Sequence, residues 1–328
     1  MAVVLGGARK VTARLLVKQT DGVHERPPAE LSDVRGTPAW LDIVHPDDSE
    51  LALIADELGL HPLAVEDVRT RHDRPKADAY DGYYFITFSA LDSHSPGALS
   101  TELFQIFAFN DVLVTVRVGD WPARDDVEKR WREGRIPSAG MLLHALLDTT
   151  VDGYFPIIDD YGERADVLEG LILQDTNGDA LRTSLAELFL LKRDLVRVRK
   201  LIAPEREVLQ VLSRGDAECY GPEERRYFQD VYDHVVRVTD EIDTLRDLVS
   251  NVVDANLAAV SNRLNEVMKV LTAVATILLV MTVVTSFFGQ NFVDFIPFDS
   301  AIVFWASIAV TVVAVVALAV YFRRKRWL

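Results

Sequence analysis

Apolar and polar positions change their rhythm along the chain. Up to about residue 120, aromatic and β-branched residues come in short runs, at 11–18, 83–91, 103–110 and 112–118. Such runs predict strands, and Asn110-Asp111 reads as the turn between the last two. Pro46-Asp47-Asp48 opens a helix to Leu58, with aspartates suited to its N-terminal end. These elements predict a cytoplasmic α/β domain over residues 1–121. From Pro122 the period becomes helical. Residues 138–173 and 179–202 read as two long helices, with breaks near Asn177-Gly178 and at Pro204. Pro222 then opens a helix that meets no breaker before Gly289. At 1.5 Å per residue it is roughly 100 Å long. The helical region with its stalk is assigned to residues 122–262.

Within that helix Phe228, Val231, Val235, Val238, Ile242, Leu245, Val249 and Val252 alternate in steps of three and four. A sustained 3.5-residue period means packing as a coiled-coil-like bundle. The partner is another helix of the same chain or a further copy, and the pattern favours a stalk that also meets copies of itself.

Two runs lack any charge, at 270–288 and 301–322. Each is long enough to cross about 30 Å of hydrocarbon. Arg323-Arg324-Lys325-Arg326 follows the second, and such clusters mark the cytoplasmic side. The expected layout is a first membrane helix over 263–288, an outer loop over 289–300, a second helix over 301–322 and a basic cytoplasmic tail over 323–328. Both termini then face the cytoplasm. The charged N-terminus, with Arg9, Lys10 and Arg14, does not read as a signal peptide.

Charge and chemistry narrow the function. The 328 residues carry a formal charge of −15, which argues against nucleic acid and suits cations. One cysteine, Cys219, makes neither an intrachain disulfide nor a zinc knuckle, and it reads as a helix-boundary residue. His45, His61 and His72 lack ligand spacing with one another and read as packing or capping residues. The basic stretch 188–200 reads as a solvated face. No glycine-rich phosphate loop or nucleophile–base pair appears, so the chain is not read as an enzyme, and no prosthetic group is expected.

Two spans cannot enclose a water-filled path, so conduction requires several copies around an axis. The first span has one face with Asn265, Met268, Leu271 or Thr272, Ala275, Leu279, Thr282 and Ser286. Hydroxyls can hydrogen-bond a hydrated ion, and rings of Met268, Leu271, Ala275 and Leu279 can close a pore by dewetting. Helix packing alone would also use threonine and serine. The loop after it carries Gly289, Gln290, Asn291, Asp294 and Asp299 and no basic residue. A neutral amide carbonyl can accept hydrogen bonds from the waters of a hydrated cation.

Several stretches resemble the CorA family of divalent-cation transporters. They are HPLAVEDV (61–68), RPK (74–76), YFQDVYDHVVRVTDEIDTLRDLVSN (227–251), SNRLNEVMKVLTAVATI (261–277), the G-x-N-F loop and the terminal FRRKRWL. The resemblance implies a homopentameric funnel in the cell membrane. An α+β cytoplasmic domain bears a long stalk helix that becomes the first of two spans. The family's usual loop is Gly-Met-Asn, and Gln290 replaces the methionine here. Asn291 carbonyls would hold the hydrated ion. Asp254, with Asp92 and Asp230 as further candidates, would bind Mg²⁺ between subunits and shut the pore. The implied activity is passive uptake of Mg²⁺, with Co²⁺ or Ni²⁺ as further substrates. Zn²⁺ transport by the same architecture, or a membrane-anchored sensor without transport, are the alternatives.

Overall fold

A computed structural model describes residues 12–34, 36–70, 74–93, 99–174, 178–215, 219–289 and 301–327. Contacts divide the chain into two units, one through Ser250 and one from Asn251 onward.

The first unit is built on a seven-stranded sheet in the order β2-β1-β3-β7-β6-β5-β4. The strands are β1 (Thr12–Gln19), β2 (Gly22–Arg26), β3 (Ala39–Val44), β4 (Lys76–Tyr80), β5 (Tyr83–Ser93), β6 (Leu99–Phe109) and β7 (Val112–Arg117). Only β3 and β7 pair in parallel. Because side chains alternate along a strand, each sheet face has its own core. Leu15, Leu41, Phe85, Phe107 and Val114 pack with Leu51, Val65 and Val68 of α1 (Asp48–Leu58) and α2 (Pro62–Thr70). Asp47 caps α1 as the aspartate pattern predicts, accepting from the Ser49 and Glu50 amides while the Glu50 side chain accepts from the Asp47 amide. On the interior strand β3 Asp42 is 1% exposed and holds Arg124 at 2.9 Å and Arg117 at 3.3 Å. The Thr115 hydroxyl donates to it at 2.7 Å.

Five helices follow in this unit: α3 (Pro122–Arg132), α4 (Ala139–Asp152), α5 (Tyr154–Gln174), α6 (Gly178–Ile202) and α7 (Glu205–Arg214). The single helix expected over 138–173 is broken between Asp152 and Tyr154. Pro156 lies in the first turn of α5, where its missing N–H breaks no ladder, so a new helix starts there. The strands β2 and β4 and the helices α2, α3 and α7 are too short to have been separated from loops by periodicity.

The helix α8 (Pro222–Phe288) has the 67 residues expected and belongs to both units. Its seam of Phe228, Val231, Val235, Val238, Ile242, Val249 and Val252 is buried within the single chain. Phe228 lies beside His144 of α4, and Asp243 takes Arg199 of α6 at 2.6 Å. The preference for self-association along this seam is therefore corrected: the chain's own helices fill it. Arg199 likewise shows that residues 188–200 are more than a solvated face.

The second unit holds the rest of α8 and α9 (Ala301–Arg324). Both are long and apolar enough to cross a membrane. From Ala273 onward the positions shielded on α8 are Ala273, Thr276, Ile277, Val280, Val284 and Phe288; those on α9 are Val303, Ser307, Thr311, Ala314, Val315, Leu318, Ala319 and Phe322. Each set repeats every three to four residues, the signature of one helix face. Small residues on such a stripe let helices approach closely.

Candidate ion path and cation sites

On α8 the positions Asn265, Met268, Leu271, Thr272, Ala275, Leu279, Thr282 and Ser286 are all exposed. At about 100° per residue they centre roughly opposite the shielded stripe through Ala273 and Val280. The face is thus uncovered by its own chain. The Thr282 hydroxyl donates to the Leu278 carbonyl at 2.9 Å. With its only proton committed to the helix, Thr282 presents lone pairs outward, the polarity a hydrated cation requires. Asn265 and Thr272 stand toward one edge of the face, where they border a cleft with Lys269 and Trp327.

Gly289 ends α8, and its amide donates to the Thr285 carbonyl at 3.0 Å. It does not take the left-handed backbone often found at helix ends. A Cβ there would lie 3.3 Å from the Thr285 carbonyl oxygen, a tight contact that a small shift relieves. Gln290, Asn291, Asp294 and Asp299 lie outside the described residues.

Beside the uncovered face runs a second apolar seam. Leu257, Val260, Leu264, Val267, Leu271, Val274 and Leu278 step by three and four, and all are exposed, Leu257 at 61% and Leu264 at 62%. The seam does not prolong the buried one: the step from Val252 to Leu257 is five residues, and the positions that would continue the buried period are Asn256, Ala259 and Arg263.

The acidic candidates divide. Asp254 is exposed on α8. Asp92 lies on β5 opposite Ser100, and its side chain is outside the described set. Asp230 is exposed on α8, and its charge acts on a cluster that the sequence reading missed. Asp148 and Asp152, one turn apart on α4, face His234 on α8, with ligand atoms all within 4.8 Å of one another. The His234 Nδ1 lies 3.7 Å from Asp148 and 3.6 Å from Asp152, beyond hydrogen-bonding distance, and it has no hydrogen-bond partner. Burial raises the Asp148 pKa, and the charges of Asp152 and Asp230 add to the shift. A dication would relieve that repulsion, and carboxylates with imidazole suit Co²⁺, Ni²⁺ or Zn²⁺. The available signal was the spacing: Asp148-x3-Asp152 and Asp230-x3-His234 both fall one helical turn apart.

The histidines read as capping or packing fall as follows. His61 stacks on Tyr80 at 5.0 Å, and its Nδ1 accepts the Leu63 amide. His45 has a left-handed backbone, and its amide donates to the Arg117 carbonyl. His72 lies outside the described residues. Cys219 is buried just before α8, with its thiol pKa pushed up to about 11.

Fold and face together define a class: a membrane protein with two C-terminal spans, the first continuous with a helix of its soluble part. The chain belongs to the CorA-like Mg²⁺ transporter family, whose family model matches residues 36–324. The cobalt/magnesium transport protein CorA of Thermotoga maritima is 35% identical over 303 residues, covering 89% of this chain and 84% of that protein. Among solved structures, the complete CorA magnesium transporter of Methanocaldococcus jannaschii aligns with a TM-score of 0.79 at 23% identity, over 98% of this chain and 100% of that one. The full-length CmaX protein aligns with a TM-score of 0.76 at 20% identity, over 98% and 99%. At these identities the structural likeness speaks for the fold: an α+β soluble part, one long helix and two apolar C-terminal helices.

Proposed function

We propose that this chain assembles as a homopentamer in the cell membrane and passes hydrated divalent cations inward along an axial pore lined by α8. Mg²⁺ is the leading substrate, with Co²⁺ and Ni²⁺ accepted beside it. The observation that carries this reading is the uncovered face of α8, opposite the stripe that its own chain shields. The exposed seam from Leu257 to Leu278 lies next to that face. Copies joined along the seam would bring the face to a common axis. The number five comes from the family resemblance.

In this reading Met268, Leu271, Ala275 and Leu279 form the apolar constriction, and Thr282 and Ser286 offer oxygens to the ion's waters. Asn291 caps the path from the loop, with Gly289 and Gln290 shaping its approach. No ATP is needed, because a dication moving into an inside-negative cell gains about 4–5 kcal/mol per 100 mV. Internal cation closes the pore by binding acidic groups. The cluster Asp148–Asp152–His234 with Asp230 is the best-formed candidate, and Asp254 and Asp92 are the intersubunit candidates. The basic residues 323–326 hold both termini in the cytoplasm.

Imidazole in that cluster favours a second reading, in which the same architecture carries Zn²⁺. Flux into liposomes holding a cation-sensitive dye, with Mg²⁺ and Zn²⁺ compared, separates the two. Asn291→Ala tests the pore itself. Loss of flux with intact assembly is expected. Unchanged flux contradicts the loop's role, and absence of flux in the parent protein leaves a membrane-anchored sensor.

A further inference from the structure

Glu205 opens α7 with its side chain turned inward, and the residue is 0% exposed. Its Oε1 accepts the Ser89 amide of β5 at 3.2 Å. The Tyr154 hydroxyl of α5 lies 3.1 Å from the same oxygen and donates to the Ser89 carbonyl at 2.5 Å. A phenol has one proton, and the shorter contact, to an atom that can only accept, takes the larger share of it. The carboxyl is left with one full donor, the Ser89 amide, and a weak share of the phenol. A buried carboxylate needs two or three donors or a cation beside it. Its Oε2 is buried without a partner, as are the hydroxyls of Ser89 and of Thr87, two residues earlier on the same face of β5.

Charges on the surrounding elements are committed elsewhere. Lys76 of β4 pairs with Asp67 and Asp78. Arg199 of α6 pairs with Asp243, and Glu207 of α7 with Arg74. Arg206 lies over the Tyr232 ring of α8. The groups acting on Glu205 are Ser89 and Tyr154.

We propose that Glu205 is a proton-operated latch: with its proton it joins α7 to β5 and α5 as a neutral group, and losing the proton drives α7 off the sheet. Burial holds its pKa well above the ordinary carboxylate value. A carboxyl raised on folding contributes stability that is complete below its unfolded value and is lost as pH rises toward the folded one. The device therefore loosens on the alkaline side. Once ionised, the carboxylate competes for the Tyr154 proton, which weakens the link from α5 to β5 as well.

The test uses the full chain in lipid nanodiscs. From pH 5 to 9 the wild type should lose stability relative to Glu205→Gln, by up to about tenfold in the folding equilibrium per pH unit. Infrared spectra should show a protonated-acid carbonyl band near neutral pH that Glu205→Gln lacks. Parallel stability curves, or no such band, overturn the proposal. Tyr154→Phe keeps it falsifiable if the glutamine variant does not fold. Removing a hydroxyl that favours the carboxylate should move loss of the band to higher pH, whereas an unchanged or lower midpoint overturns the latch.

Discussion

At the scale of single residues, the useful property of this chain is where protons and lone pairs point. Thr282 donates to its own helix and offers only oxygen lone pairs outward. His234 keeps Nδ1 unpaired between two carboxylates. Asp148→Asn combined with His234→Ala should therefore weaken Co²⁺ binding by the full chain by on the order of tenfold or more, as measured by calorimetry. Binding of wild type should also weaken on acidification sooner than ordinary carboxylates would require, because the Asp148 pKa is raised. Equal affinity in the double variant removes the cluster from regulation. Asp148 and His234 escaped the sequence reading because the cluster joins helices about 80 positions apart in sequence, and spacing on one helix shows only half of it. Asn291, by contrast, was singled out from its place between two apolar runs.

At the scale of elements, α8 carries most of the design. One apolar seam ends at Val252 and a second, set on another face of the helix, runs from Leu257 to Leu278. The first is covered by the chain's own helices, and from Leu257 the second is bare. Leu257 and Val260, ahead of the expected span, are exposed apolar side chains that ask for a protein partner, while those from Leu264 onward can meet either lipid or a further copy. Leu257→Asp should accordingly dissociate the assembly, seen as a shift to smaller mass by light scattering, while the sheet unit keeps its circular dichroism. An unchanged mass would show that copies meet elsewhere. The absence of breakers gave this helix its ends at Pro222 and Phe288, and the uncharged run from Ala301 gave the start of α9. Periodicity did not reveal that the seam from Phe228 to Val252 is filled within the chain, because the pattern reads the same for either partner. Short strands such as β2 and β4 went unseen for a different reason: five residues hold too few alternations to register.

At the scale of the whole molecule, the reading joins a soluble α+β unit to a cation path that only several copies can complete. The acidic surface, the basic tail and the neutral amide loop fit one direction of ion movement, inward down the membrane potential. The measurement that bears on this most directly is thiol blocking of flux. In a Cys219→Ser background, Thr282→Cys and Val284→Cys place a thiol on the proposed pore face and on the α9-side stripe respectively. A charged methanethiosulfonate reagent should abolish Mg²⁺ flux into liposomes for the variant at 282 and spare the one at 284. Equal block of both, or block at 284 alone, would contradict an axial pore lined by this face of α8.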